Sequence, residues 1–218
     1  MHYRLICTLS IAIAATFVSF TPIHADEPAT AANAANAAKE KVVTLAGGCF
    51  WCTEAVFEKM EGVNDVVSGY IGGRNANPTY KQVTTGLTNH AEAVEVYYDP
   101  DKVCLEELLT MFFKTHDPTT LNRQGADAGT QYRSSIFYRD EEQKKKSETY
   151  IKKIGSDFRS PIVTQLEKAT TFYPAEEYHQ DFFRKNPGHG YCQAVVLSKV
   201  RKAKVVIDAK KKGKKDPC

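Results

Sequence analysis

The chain has 218 residues, 42% hydrophobic and 25% charged, with six cysteines and a formal net charge of +3. These values lie close to the average for soluble globular proteins, which excludes disorder, collagen-like repeats or coiled coil for the bulk of the chain. The length suits one domain with tails and a core large enough to stabilise itself by burial, so a miniprotein held by disulfides is excluded too.

The two ends depart from these averages. Residues Met1–Ala25 hold no acid, and Arg4 precedes an apolar run from Leu5 to Phe20, followed by Pro22 and the small residue Ala25. A basic start, an apolar middle and a small-residue site make a secretory signal. The run carries Thr8, Ser10 and Thr16 and is shorter than the roughly 20 residues of a membrane span. An uncleaved anchor is the alternative. The expectation is export to a bacterial periplasm with cleavage near Ala25, which removes Cys7. Residues 26–40 are Ala-rich without an apolar face and read as a linker, leaving a domain over 41–200 and a basic tail over 201–218. From Lys199 onward nine Lys and Arg stand against Asp208 and Asp216. That local excess outweighs the net charge of the chain, so the body is acidic and nucleic-acid binding is not expected of it. The tail reads as a solvated end.

Between the ends the pattern alternates strand and helix. Val42–Leu45 is a short strand ending at Gly47-Gly48, and Phe50, Val56, Phe57 and Met60 recur at helical spacing until Gly62. Val63–Tyr70 and Ala91–Tyr98 read as strands, the second stopped by Asp99-Pro100. Leu105, Leu108, Leu109 and Phe112 make an amphipathic helix ending before His116-Asp117-Pro118. Thr119–Ser134 is a polar, Gly-punctuated loop too rich in special residues for a mere connector. Ser135–Tyr138 is a strand, Asp140 caps a charged helix to Ile154, and Pro161–Glu167 is another strand. Pro174–Arg184 reads as a helix broken by Asn186-Pro187-Gly188. Such alternation within about 160 residues predicts a sheet with helices packed on it.

Chemistry begins at Gly47-Gly48-Cys49-Phe50-Trp51-Cys52. A cysteine where a strand turns into a helix lies near unpaired N–H groups that favour its thiolate. Cys49 and Cys52 fall on one side of the first turn. Phe50 and Trp51, the only tryptophan, are suited to wall an apolar pocket. No zinc site is expected, since the remaining cysteines are not closely spaced and His90, His116, His179 and His189 form no ligand pair. A thioredoxin-like dithiol oxidoreductase is the competing reading of Cys-x-x-Cys at a helix start. The absence of a proline within the pair and the dense polar motifs elsewhere speak against it. A non-catalytic periplasmic binding module is the third.

Further motifs follow in order: Asn77-Pro78-Thr79-Tyr80, Asn89-His90-Ala91-Glu92, Tyr98-Asp99-Pro100 and His116-Asp117-Pro118-Thr119. Then come Arg123-Gln124-Gly125-Ala126-Asp127-Ala128-Gly129-Thr130-Gln131-Tyr132-Arg133-Ser134, Glu177-Tyr178-His179-Gln180, Asn186-Pro187 and Gly190-Tyr191-Cys192. The series, over about Val42–Val200, resembles peptide methionine sulfoxide reductase A, an enzyme that restores oxidised methionine. The resemblance implies a two-layer α/β sandwich with a mixed sheet, a ferredoxin-like β-α-β core and long ordered coils. It implies Cys49 as nucleophile and Glu92 as proton donor. Tyr80 and Tyr132 would bind the sulfoxide oxygen, Asp127 would orient the site, and Phe50 and Trp51 would hold the S-methyl group. Where the family most often has Gly, this chain has Cys52, as in a subset with Cys52 as first resolving cysteine and Cys192 as a second. Cys218 is a weaker candidate, and Cys104 reads as structural. The implied reaction is reduction of the S-epimer, free and protein-bound, by a monomer without cofactor or metal, recycled by thioredoxin or a thioredoxin-like donor.

Overall fold

The structure, a computed structural model, describes residues 40–213. The expected signal, the linker except Glu40, and Cys218 lie outside them. Strand β1 (Lys41–Gly47) leads through α1 (Phe50–Phe57) to β2 (Val63–Ile71). After the single turn α2 (Tyr80–Val83), β3 (Ala91–Tyr98) inserts between those strands, antiparallel to both. β1 and β2 are therefore parallel and joined across α1, a split β-α-β unit. Helix α3 (Leu105–Thr115) follows, then a ribbon of β4 (Arg123–Gln124) and β5 (Asp127–Ala128) and a 3-10 turn over Thr130–Tyr132. β6 (Ser134–Tyr138) pairs with β1, and α4 (Glu141–Ile154) returns the chain so that β7 (Gln165–Lys168) adds parallel to β6. β8 (Tyr173–Pro174) closes the other edge, giving the order β7-β6-β1-β3-β2-β8.

The sheet has a thick and a thin face. Val43, Leu45, Val94, Val96, Tyr70 and Ile136 point to one side, against Val56 and Phe57 of α1 and Leu108, Leu109 and Phe112 of α3. On the other side Ala46, Ile71, Ala91, Ala93 and Phe137 form a small cluster under Ala169 and Phe172. Alanines suit that face because coil, not helix, covers it. β3 is thus buried on both faces at all but Tyr97. A carboxylate on this strand, such as Glu92, pays a desolvation cost.

Local signals explain most boundaries. Asp140 accepts from Gln143 N–H at 2.7 Å and starts α4. Thr79 and Gln82 form a capping box that starts α2. The two-layer mixed sheet with its β-α-β unit matches the expected architecture. Three segments depart from the expected elements. The strand expected over Pro161–Glu167 begins only at Gln165. Pro174–Arg184 is not one helix: it is β8, a 3-10 turn over Glu177–His179, and α5 (Phe182–Lys185) after a left-handed Asp181 with φ of 56°. Side-chain hydrogen bonds from Gln180 and Glu54 hold this path, and periodicity does not register them. The tail expected to be solvated is helical through α6 (Leu197–Lys211), preceded by a π-helical stretch over Cys192–Val196. Buried Ala203 and a Lys210–Glu107 ion pair of 2.9 Å tie α6 to α3. Among the described residues no helix is long and apolar enough to cross a membrane.

Candidate active site

Cys49 is the N-cap residue of α1, delivered there by β1 and the two glycines. Gly48 has φ of +96°, and a Cβ on it would stand 2.6 Å from the Gln124 side chain. Only glycine lets the 117–124 loop close this tightly over the strand end. Cys49 retains 8% exposure, whereas Cys52 is 1% and Cys192 0% exposed. All three are free thiols.

The helix start binds the acid as well. The N–H of Phe50 donates to Glu92 Oε2 at 3.1 Å, joining the first residue of α1 to the middle of the sheet. Burial pushes the Glu92 carboxyl up to about 8, against the opposing pull of that N–H. Such a shift favours the protonated form at neutral pH, the form that can donate a proton.

The surroundings act on the two cysteines in opposite directions. Burial, a hydrogen bond with Cys52 and the charge of Glu92 push the Cys49 thiol well above the ordinary value. Cys52 moves the other way, because hydrogen bonding with Cys49 stabilises its thiolate, assisted by Lys199 on α6. Exposed N–H groups at a helix start favour negative charge, yet desolvation of a nearly enclosed sulfur outweighs them. Cys192 lies within electrostatic reach of Cys52, and burial raises its thiol too.

Tyr80 and Tyr132 converge from separate segments on Glu92 and Cys49. Burial and the charges of Glu92 and Cys49 push the Tyr80 phenol to about 12, and burial and Glu92 raise Tyr132 likewise. Both phenols therefore stay protonated and can donate. Their segments are stitched together by Thr130 Oγ1 to Gly86 O at 3.1 Å and Gln131 Nε2 to Thr84 O at 3.3 Å. Buried Arg133 adds a hydrogen bond to Asn89 O at 3.1 Å. Asp127 accepts from the Tyr191 hydroxyl at 2.6 Å, and that hydroxyl lies 3.9 Å from Cys52 Sγ.

Phe50 and Trp51 divide the apolar part unequally. Phe50 is almost fully buried and stacks on Tyr80, ring centroids 6.3 Å apart. Trp51 is half-buried, covered by Phe182 at 3.7 Å with the rings nearly parallel, and its Nε1–H donates to His179 Nδ1 at 3.1 Å. The open wall is therefore Trp51.

All the expected site residues gather around the start of α1, with Cys192 behind Cys52. Sequence reasoning assigned no role to Tyr191, His179 or Phe182. Tyr191 and His179 lie inside quoted motifs and were within reach; Phe182 had no signal beyond being aromatic. His90 and His116 are satisfied interior histidines, bonded to Asn75 O at 2.8 Å and to Ser134 Oγ at 2.8 Å.

Comparison with known proteins agrees with this geometry. The sequence model of the family described as peptide methionine sulfoxide reductase matches residues 41–212. The chain is similar to peptide methionine sulfoxide reductase MsrA 1 of Rhodopirellula baltica, 68% identical over 75% of this chain and 85% of that one. It is 54% identical to the MsrA of Deinococcus radiodurans over 76% of this chain and 81% of that one. Among solved structures it resembles reduced Mxr1 of Saccharomyces cerevisiae, with TM-score 0.68, 39% identity, and coverage of 71% and 90%. It also resembles methionine sulfoxide reductase A of Corynebacterium diphtheriae, with TM-score 0.65, 35% identity, and coverage of 68% and 76%. With the family model matched over residues 41–212 and relatives of 54% and 68% identity covered over more than four fifths of their own length, this chain belongs to the peptide methionine sulfoxide reductase family.

Proposed function

We propose that the chain reduces the S-epimer of methionine sulfoxide, free and within proteins, and that its residues act as follows. The S-methyl group packs on the Trp51 wall over Phe50, and the sulfoxide oxygen accepts from the Tyr80 and Tyr132 hydroxyls and from the protonated Glu92. Polarising the S–O bond makes the sulfur electrophilic next to Cys49, whose proton is released as the thiolate attacks. Attack joins Cys49 Sγ to the substrate sulfur, and Glu92 together with the proton from Cys49 converts the oxygen to water, which leaves. Water then attacks Cys49 Sγ and breaks that S–S bond, so methionine leaves, Cys49 becomes a sulfenic acid and one proton returns to Glu92. Cys52 then attacks the Cys49 sulfur, water departs and a disulfide forms. One sulfoxide and two thiols thus give methionine, a disulfide and water.

The observation that carries this reading is the Phe50 N–H to Glu92 hydrogen bond. It brings a carboxyl with a value of about 8 to the same helix start as the sulfur it must serve. The placement of the cysteines supports the relay: Cys52 lies in the first turn of α1, within reach of a sulfenic acid on its N-cap Cys49, and the Cys192 thiol lies near Cys52, where it can attack the Cys49–Cys52 disulfide in a second exchange. A thioredoxin-like dithiol then regenerates the enzyme. The N-terminal pattern supports export to the periplasm, where that donor draws electrons across the membrane. The chain acts as a monomer.

Both sulfoxide epimers with dithiothreitol test the reading. Loss of the S form alone is expected, with two thiols disappearing per methionine in a single turnover without reductant. No loss of the S form rejects it.

A further inference from the structure

Glu54 belongs to α1 but takes no part in the chemistry above. Its side chain is 1% exposed. Oε1 accepts from Ser68 Oγ on β2 at 3.0 Å, and Oε2 accepts from the Phe182 N–H at 3.2 Å. Burial pushes the carboxyl up to about 7, so an ordinary packing residue would be less costly here. What the carboxyl holds is the turn at Asp181, where a non-glycine residue adopts the left-handed conformation. Beyond that turn the Phe182 ring lies flat on Trp51. The preceding residue is pinned too: the Gln180 side chain exchanges hydrogen bonds of 2.9 Å with both the N–H and the C=O of Ser68.

We propose that Glu54 is a positioning residue for substrate binding: by fixing the Asp181–Phe182 turn it holds Phe182 against Trp51 and so sets the shape of the wall that receives the sulfoxide's methyl group. The inference rests on the functional reading above for its kinetic readout only. Trp51 and Glu54 share one helix, but the element that shapes the indole's outer face comes from a segment distant in sequence. Trp51 and Glu54 are three residues apart and share one side of α1, so the same residue, Phe182, meets the indole with its ring and the carboxylate with its N–H.

Trp51 is the only tryptophan, so its fluorescence reports the wall directly. In the purified full chain, Glu54→Leu is expected to raise KM for a peptide carrying methionine S-sulfoxide about tenfold, with kcat within about threefold, as loss of uniform binding requires. Acrylamide quenching of Trp51 should rise about twofold as Phe182 leaves the indole, since local opening exposes what it uncovers. Glu54→Gln should keep KM and quenching near wild type, because the amide oxygen can accept from Phe182 N–H while the amide nitrogen donates to Ser68 Oγ. Phe182→Leu should reproduce the rise in KM, and Glu54→Leu should add nothing to it, since both break one latch. Unchanged KM and quenching in Glu54→Leu overturn the proposal, as does a Gln variant as impaired as the Leu variant or additivity in the double variant. Should Glu54→Leu fail to fold, Phe182→Leu with wild-type KM and quenching overturns it alone. Should the wild-type chain reduce neither epimer, the functional reading fails, and the quenching comparison still decides the latch.

Discussion

The two halves of the site are built differently. The half at the start of α1 rests on regular elements: a strand end, two glycines, a helix N-terminus and the middle of β3. The half supplied by residues 174–196 is a chain of exceptions, namely a two-residue strand, a 3-10 turn, a left-handed aspartate, one short helix and a π-helical stretch. Backbone hydrogen bonding places the reacting groups, whereas side-chain to backbone hydrogen bonds place the groups that surround them. The first half should therefore respond to mutation in the chemical step, and the second in binding and stability.

The largest effect tests the first half. Cys49→Ser should abolish turnover with dithiothreitol while leaving the far-UV circular dichroism and melting temperature close to wild type; retained activity would reassign the nucleophile. Next is Glu92→Gln, which keeps an acceptor for the Phe50 N–H but has no acidic proton to give. The first-turnover rate should fall roughly 10²–10⁴-fold, the usual worth of general acid catalysis. In the wild type that rate should drop as pH rises through about 8, where Glu92 loses its proton, and the limb should be missing in the variant.

The same residue makes a stability prediction. Its folded value of about 8 lies above the ordinary 4.5, so the folded state binds the proton more tightly than the unfolded chain. This contribution is complete below pH 4.5 and is lost as pH rises towards about 8, and Glu54 adds the same sign up to about 7. Denaturant unfolding at pH 5 and pH 8 should show a decline on the order of a few kcal/mol in the wild type and a smaller one in Glu92→Gln. Equal slopes would mean that Glu92 is ionised in the folded state.

A smaller effect separates the relay from the chemistry. Cys52→Ser should release one methionine per enzyme at near wild-type rate but recycle about 10-fold or more slowly with a thioredoxin donor, because a remaining thiol must travel further to the sulfenic acid. Normal recycling would transfer the role to Cys192. The mildest change addresses the second half: Gln180→Ala removes the hydrogen bonds to Ser68 and Ala175. It should cost about 1–3 kcal/mol of stability, the range for leaving buried backbone groups unpaired, and leave the first-turnover rate at saturation almost unchanged. A large fall in that rate would erase the distinction between the halves.

Those halves were not equally legible. Strands β1, β2, β3 and β6 and helices α3 and α4 follow from periodicity and from signals such as Asp140 and Asp99-Pro100. Cys49 and Cys52 stood out because a strand, two glycines and a helix are contiguous. Glu92 alone was an ordinary strand carboxylate; only the resemblance carried by separated motifs marked it, and β3's burial on both faces is a tertiary fact. Residues 174–184 misled because Ala175, Glu176, Glu177 and Phe182–Lys185 suit a helix locally, while Gln180 and Glu54 impose another path from outside the segment. The enclosure of Cys49 is illegible for a related reason, since a helix terminus is visible in a sequence and the burial of a sulfur is not.

Gln180 also bears on the sheet border. β8 is two residues long and includes Pro174, which has no N–H to offer a newcomer. Beside it, the Gln180 amide occupies the Ser68 groups that an approaching strand would seek. An exposed, flat border invites edge-to-edge pairing with other polypeptides. For a protein proposed to handle damaged and partly unfolded clients, a blunted border on this side limits self-association and keeps loosened clients from annealing there.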